Sequence, residues 1–83
     1  MGAPARGATR IEYWVPAEAP VTLAILDLQG RVVTTLADGP HEAGRYERVW
    51  SGRTENGPAS AGVYFARVSS RGDVRVRRFI LAR

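Results

Sequence analysis

The sequence predicts an all-β protein, an antiparallel sandwich of six to seven strands in one domain. Three observations predict it. Short segments alternate apolar and polar residues; clusters of Gly, Pro, Asn and Asp interrupt them at intervals of roughly 8–12 residues; and no stretch sustains a helical period. At 83 residues the chain has room for a single domain with one core.

The first strand is expected over Thr9 to Val15, with Ile11, Tyr13 and Val15 facing one way and Glu12 and Trp14 the other. Pro16 and Pro20 bracket the turn that ends it. From Val21 to Leu28, Val21, Leu23 and Ile25 alternate with Thr22, Ala24 and Leu26, which gives a second strand with one buried face. Asp27-Leu28-Gln29-Gly30 is a hairpin connection, with Gly30 supplying a positive φ. Arg31 to Leu36 is the return strand, and Val33 and Leu36 are its core contacts. Ala37 to His41, with Asp38-Gly39-Pro40 at its centre, is expected to be a turn or loop. Arg45 to Trp50 forms a fourth strand. Ser51 to Ala61 is a long loop in which a short seventh strand could lie. Val63 to Ser69 is rich in β-formers and makes the fifth strand. Ser70-Arg71-Gly72-Asp73 turns into the last strand, Val74 to Ala82. The spacing of these strands is that of a β-sandwich or barrel over residues 9–83, preceded by a flexible leader, residues 1–8, and of the two the expected fold is an immunoglobulin-like sandwich. Its expected core is Ile11, Tyr13, Val21, Leu23, Ile25, Val33, Leu36, Trp50, Val63, Phe65, Val68, Phe79 and Leu81. Gly62 is expected to allow a close backbone approach or a bulge where the long loop rejoins the sheet.

Composition narrows the function classes. The absence of cysteine excludes disulfides and sulfur-ligated zinc. No apolar run approaches the roughly 20 residues of a membrane-spanning helix. All twelve basic residues are arginine. Six of them, Arg67, Arg71, Arg75, Arg77, Arg78 and Arg83, fall between Gly62 and the end against one acid, Asp73, so the positive charge belongs to the last hairpin.

Catalysis needs convergent titratable groups, and the sequence supplies few. The single histidine, His41, sits in the Gly-Pro segment and reads as a solvated surface residue. The eight acids show no spacing for metal binding or acid–base work, and Asp27 reads as a cap on its own turn. Arg71-Gly72-Asp73 has the composition of a tight turn, which outweighs an adhesion reading. Arg75 and Arg77 share one face, with Arg67 and Arg71 near them. On an edge strand such charges discourage aggregation, and binding of an anionic polymer is the alternative. Trp14, on the polar side of its strand, would suit a carbohydrate only if Tyr46 or Tyr64 shared its face. The expectation is therefore no enzyme, no catalytic residue, no metal or other cofactor, and no nucleic-acid partner.

Several motifs, in order, resemble a known family. Thr9-Arg-Ile-Glu-Tyr-Trp-Val-Pro16 resembles an opening T-x-I-x-Y-x-L-P strand, and Val21 to Val33 resembles V-x-L-x-V-Y-D-x-x-G-R-x-V. Ala43-Gly44 followed by Trp50-Ser51-Gly52 resembles A-G-x-x-x-x-x-W-D-G, with Ser51 where the family often has Asp. Ala61-Gly-Val-Tyr-Phe65 resembles S-G-V-Y-F, and Arg78 to Arg83 resembles K-M-V-L-L-R. These are the motifs of bacterial C-terminal sorting domains of type IX (Por) secretion and of the similar immunoglobulin-like domain of the flagellar hook-capping protein. The resemblance implies a non-catalytic module that directs secretion or cell-surface attachment of a larger exported protein, by way of the periplasm. Its implied partners are the translocon or attachment machinery and covalently linked N-terminal cargo domains, with weak self-association left open. It also implies that Arg78, Phe79, Ile80, Leu81 and Arg83 form the translocon address, read by strand addition. The alternative it implies is a structural spacer or assembly domain of hook-cap type.

Overall fold

The computed structural model describes residues 8–82. Most of the expected leader and Arg83 lie outside the described residues. The described chain is all β, with eight strands: β1 (Thr9–Val15), β2 (Ala19–Leu26), β3 (Val32–His41), β4 (Gly44–Trp50), β5 (Arg53–Thr54), β6 (Gly57–Pro58), β7 (Gly62–Ser70) and β8 (Asp73–Leu81). All pairings are antiparallel, in an immunoglobulin-like sandwich. One sheet has four strands in the order β3-β2-β7-β8, and β1 and β4 form a two-stranded sheet. β5 and β6 make a short ribbon inside the long loop, two strands where one was allowed for, which brings the count to eight against the six to seven expected.

The core lies between the two sheets. β2 is its centre: Val21, Leu23 and Ile25 face inward and are fully buried. β2 has a strand on each side, and their side chains screen the apolar residues of its outer face. There small Ala24 is flanked by Thr35 and Arg67, and Leu26 by Val32 and Phe65. Trp50, at the end of β4, is 1% exposed and bridges the sheets. Its ring meets Tyr64 of β7 and Phe79 of β8 edge-on, at centroid distances of 5.2 and 5.9 Å. Its indole Nε1–H donates to the Arg53 carbonyl at 2.9 Å, satisfying the one polar atom that burial would otherwise strand.

Four expectations change. Ala37 to His41 is strand, not loop: β3 runs on to His41, with Pro40 opposite Pro20 and His41 opposite Ala19. A proline is tolerated there because β3 is a sheet edge and Pro20 lies before the point where β7 joins β2. Secondly, β3 carries two bulges, which leave Leu36 and Val33 without a direct partner on β2. Both extra residues pack on the core; they are inside as expected, through an irregularity and not through alternation.

The third change concerns β7. Val63 and Phe65 are half-buried on the outer face, while Tyr64, Ala66 and Val68 face the core. Both faces of this strand are apolar, so alternation does not choose between them. The choice falls to Tyr64, which packs on Trp50 and donates its hydroxyl to the Ser60 carbonyl at 2.7 Å. Fourthly, Gly62 makes no close approach, since a Cβ there would meet open space, and the β7–β8 register is unbroken from Gly62 onward. What calls for glycine is its φ of 151°, which side chains rarely adopt.

Candidate interaction surface

His41 is buried, contrary to its expected solvated place. It sits at the end of β3 among Tyr13 and Tyr46, with ring centroids 5.8 and 4.6 Å away. Its Nδ1 lies 3.0 Å from the Gly39 carbonyl, which can only accept, so Nδ1 carries a proton. Its Nε2 lies 2.9 Å from the Tyr13 hydroxyl, which donates to it in the neutral ring. Burial pushes the Tyr13 hydroxyl above its ordinary 10.0, with the Arg48 charge opposing. Tyr46 stacks on Tyr13 and donates to the Glu42 carbonyl at 2.7 Å. The polar atoms of the three rings bond to one another and to the Gly39 and Glu42 carbonyls, which ties β1, β3 and β4 together. The sequence signal that was available is the pairing of Ile-x-Tyr in β1 with a Tyr in β4; the histidine itself gave no hint.

Asp27 caps its turn as expected. Its Oδ1 accepts from the backbone N–H of Gln29 at 3.0 Å and of Arg31 at 2.9 Å, and its Oδ2 meets the Arg31 Nε at 3.1 Å. Gly30, at φ 85°, lets the chain reverse inside this cage. The backbone bond from Arg31, above all, holds the carboxyl below its ordinary 3.8, against the desolvation that raises it. A depressed carboxylate contributes stability above its ordinary range and loses it as pH falls through the folded value. Asp27→Asn is therefore expected to lower the melting temperature at neutral pH and to match the parent at strongly acid pH. An equal deficit at both would show that the carboxylate charge is not what the turn uses.

Arg71 and Gly72 are the two turn residues of the β7–β8 hairpin, both at positive φ (49° and 84°), as such a turn requires. Trp14 is 58% exposed on the outer face of β1. Tyr46 and Tyr64 both face inward, so among the described residues no second tyrosine or tryptophan joins it in a sugar-stacking plane.

The residues expected to form an export address divide between two faces of β8. Arg78 and Ile80 are exposed on the outer face, with Ile80 opposite Val63 and Arg78 opposite Phe65. Phe79 packs against the core and Leu81 belongs to it, 2% exposed. An intact domain therefore presents Arg78 and Ile80 and hides Leu81. Arg67 lies opposite Val76, on the face away from Arg75 and Arg77.

Arg75 and Arg77 line an open groove of about 820 Å³. They stand opposite Val68 and Ala66, and so share the inward face of the four-stranded sheet. The other wall is β1 from Thr9 to Trp14, and Tyr46, Glu47 and Arg45 of β4 complete the lining. Arg75 has a long ion pair with Asp73, 3.7 Å, at an exposed site; Arg10 bridges Glu47 at 2.8 Å. Sequence reasoning placed Arg75 and Arg77 on one face but could not show that this face is a groove, because that depends on which strands the second sheet lacks.

The family model of the FlgD Ig-like domain matches residues 4–73. The chain belongs to this family. No curated protein and no solved structure matches it. The match to the FlgD Ig-like domain agrees with the hook-cap half of the sequence resemblance; nothing comparable stands behind the sorting-domain half. It runs from before β1 to Asp73, the first residue of β8. The motif residues that carried the resemblance have structural work in this FlgD Ig-like domain. Trp50 joins the sheets, Asp27 and Gly30 close a turn, Gly62 enters β7, and Tyr64 packs on Trp50.

Proposed function

We propose that this FlgD Ig-like domain is a non-catalytic structural module, a spacer or assembly domain of hook-cap type within a larger exported protein. Family membership across residues 4–73 carries this reading. The use of the shared motif residues in turns and core supports it, since none of them is left over for chemistry. Such a domain acts by holding its neighbours or copies of itself. The test is sedimentation of the domain over a wide concentration range, alone and mixed with the domains that flank it in the full-length protein. Association in either setting is expected. A domain that stays monomeric and ignores its neighbours would sink the reading.

A second reading, an export address on β8, is favoured by one observation: β8 is an edge of the four-stranded sheet, with Arg78 and Ile80 exposed on it. Truncation before Arg78 is a poor test, because it removes Leu81 from the core. The better variant is Arg78→Ser with Ile80→Ser, on a reporter fusion in a bacterium with type IX secretion. Export of the parent fusion with retention of the folded variant is the outcome this reading requires; equal export, or none by either, rejects it.

A further inference from the structure

The two sheets differ in width, and the difference leaves a strand-shaped space. β4 meets β3 near its start, where Tyr46 lies against His41, and reaches β7 and β8 at its end through Trp50. The two-stranded sheet stops at β1 and leaves the inward face of β8 uncovered at Arg75 and Arg77, while Phe79 and Leu81 of the same face are packed on the core. One edge of β1 pairs with β4 over all seven residues. Among the described residues its other edge has no strand partner. That edge, with alternate N–H and C=O groups unpaired, is the wall of the groove, and Arg75, Arg77 and Phe79 are its floor.

We propose that this groove receives an extended acidic segment of a partner protein, which pairs with β1 as a third strand and places alternate carboxylates over Arg75 and Arg77. A strand added to β1 would lie about 4.8 Å from it and about 10 Å above β8, the spacings of paired strands and packed sheets. Its inward side chains would recur every second residue, as Arg75 and Arg77 do on β8. Arg77 makes no ion pair among the described residues, and Arg75 has only its long contact with Asp73. An inward residue near Phe79 and Ile11 would be apolar. The main chain would give affinity and the carboxylates would give register and orientation.

A second copy of this domain does not fit. Pairing β1 with its symmetry mate would bring the overhanging β8 of each copy into the same space beneath the joined sheet. A continuous polyanion fits less well than a peptide, because Glu12 and Glu47 sit side by side on the groove wall. A bare strand whose charges point only downward avoids them.

This inference deepens the structural reading and rests on it for its purpose, since it names the contact that would hold the domain in an assembly. Its test is direct binding. The probe is a labelled peptide of about ten residues alternating Glu with Thr. Its controls are a peptide of the same composition with the glutamates in one block, and a Lys-Thr version. The alternating peptide is expected to bind best, more weakly as salt rises, and to slow hydrogen exchange at alternate amides of β1. Arg75→Glu and Arg77→Glu change exposed residues. Each is expected to leave the melting temperature unchanged and to weaken binding about tenfold or more, each having turned an attraction into a repulsion. Equal binding of the block peptide, protection on β8 in place of β1, tighter binding of heparin, or no binding would each overturn the proposal. Loss of peptide binding with association retained in sedimentation would reject the groove and leave the structural reading standing.

Discussion

Trp50→Ala is expected to remove a large share of the domain's folding stability. The indole is 1% exposed and is the largest fully buried side chain. Its removal costs about 3–5 kcal/mol when the surroundings cannot collapse. They cannot collapse easily here, because the ring spaces one sheet from the other and meets Tyr64 and Phe79 edge-on. A chain of 83 residues has a total stability on the order of 4–12 kcal/mol, so this one substitution consumes most of the lower end of that range. Trp50→Phe separates the two contributions of the side chain. It keeps a ring between the sheets but leaves the Arg53 carbonyl without its 2.9 Å donor, a loss of about 1–3 kcal/mol. The expected order in urea midpoint is parent, then Phe, then Ala, with the Ala variant far below the other two. A Trp50→Ala protein that still melted cooperatively within a few degrees of the parent would show that the ring is not what holds the sheets apart.

The legibility of the fold followed the physics of each strand. β1 has one polar and one apolar face over most of its length, and β2 sets Val21, Leu23 and Ile25 against the smaller or polar Thr22 and Ala24, so alternation gave Ile11, Tyr13, Val21, Leu23 and Ile25 their correct side. Turns built on Asp27-Gly30 and Arg71-Gly72 were readable because those residue types tolerate the backbone angles required. β3 was not readable beyond Leu36, since two bulges broke its period and Asp38-Gly39-Pro40 has the composition of a turn. Only its pairing with β2, a long-range contact, keeps that segment extended. His41 was lost for the same reason: its burial depends on Tyr13, 28 positions away in the chain. The groove was the least legible feature. It consists of a missing strand beside β1, and which strands a sheet lacks is a property of topology that no local pattern encodes.

β7 allows the sharpest comparison between pattern and packing, through two adjacent residues of similar size. Alternation through Val63 and Phe65 would bury Phe65; the structure buries Tyr64, 8% exposed, and leaves Phe65 half-buried on the outer face. Tyr64→Ala removes a ring packed on Trp50 and Phe79 and strands the Ser60 carbonyl. Its expected cost is about 3–5 kcal/mol. Phe65→Ala removes contacts with Leu26 and its neighbours on a face open to solvent. Water can fill the space, so no cavity remains and only the transfer contribution is lost, about 1–1.5 kcal/mol. For a domain of this size each kcal/mol shifts the melting temperature by about 4–8 °C, so the two variants should differ by about 6 °C or more. The parity of a strand with two apolar faces is decided by which side chain finds a partner for its polar atom inside. Tyr64 can carry its hydroxyl to Ser60 at the sandwich rim while its ring fills the core; Phe65 has no such anchor. If Phe65→Ala proved the more damaging of the two, the strand would be turned over, and Arg75 and Arg77, which share the Tyr64 face through their pairing with Val68 and Ala66, would leave the groove with it.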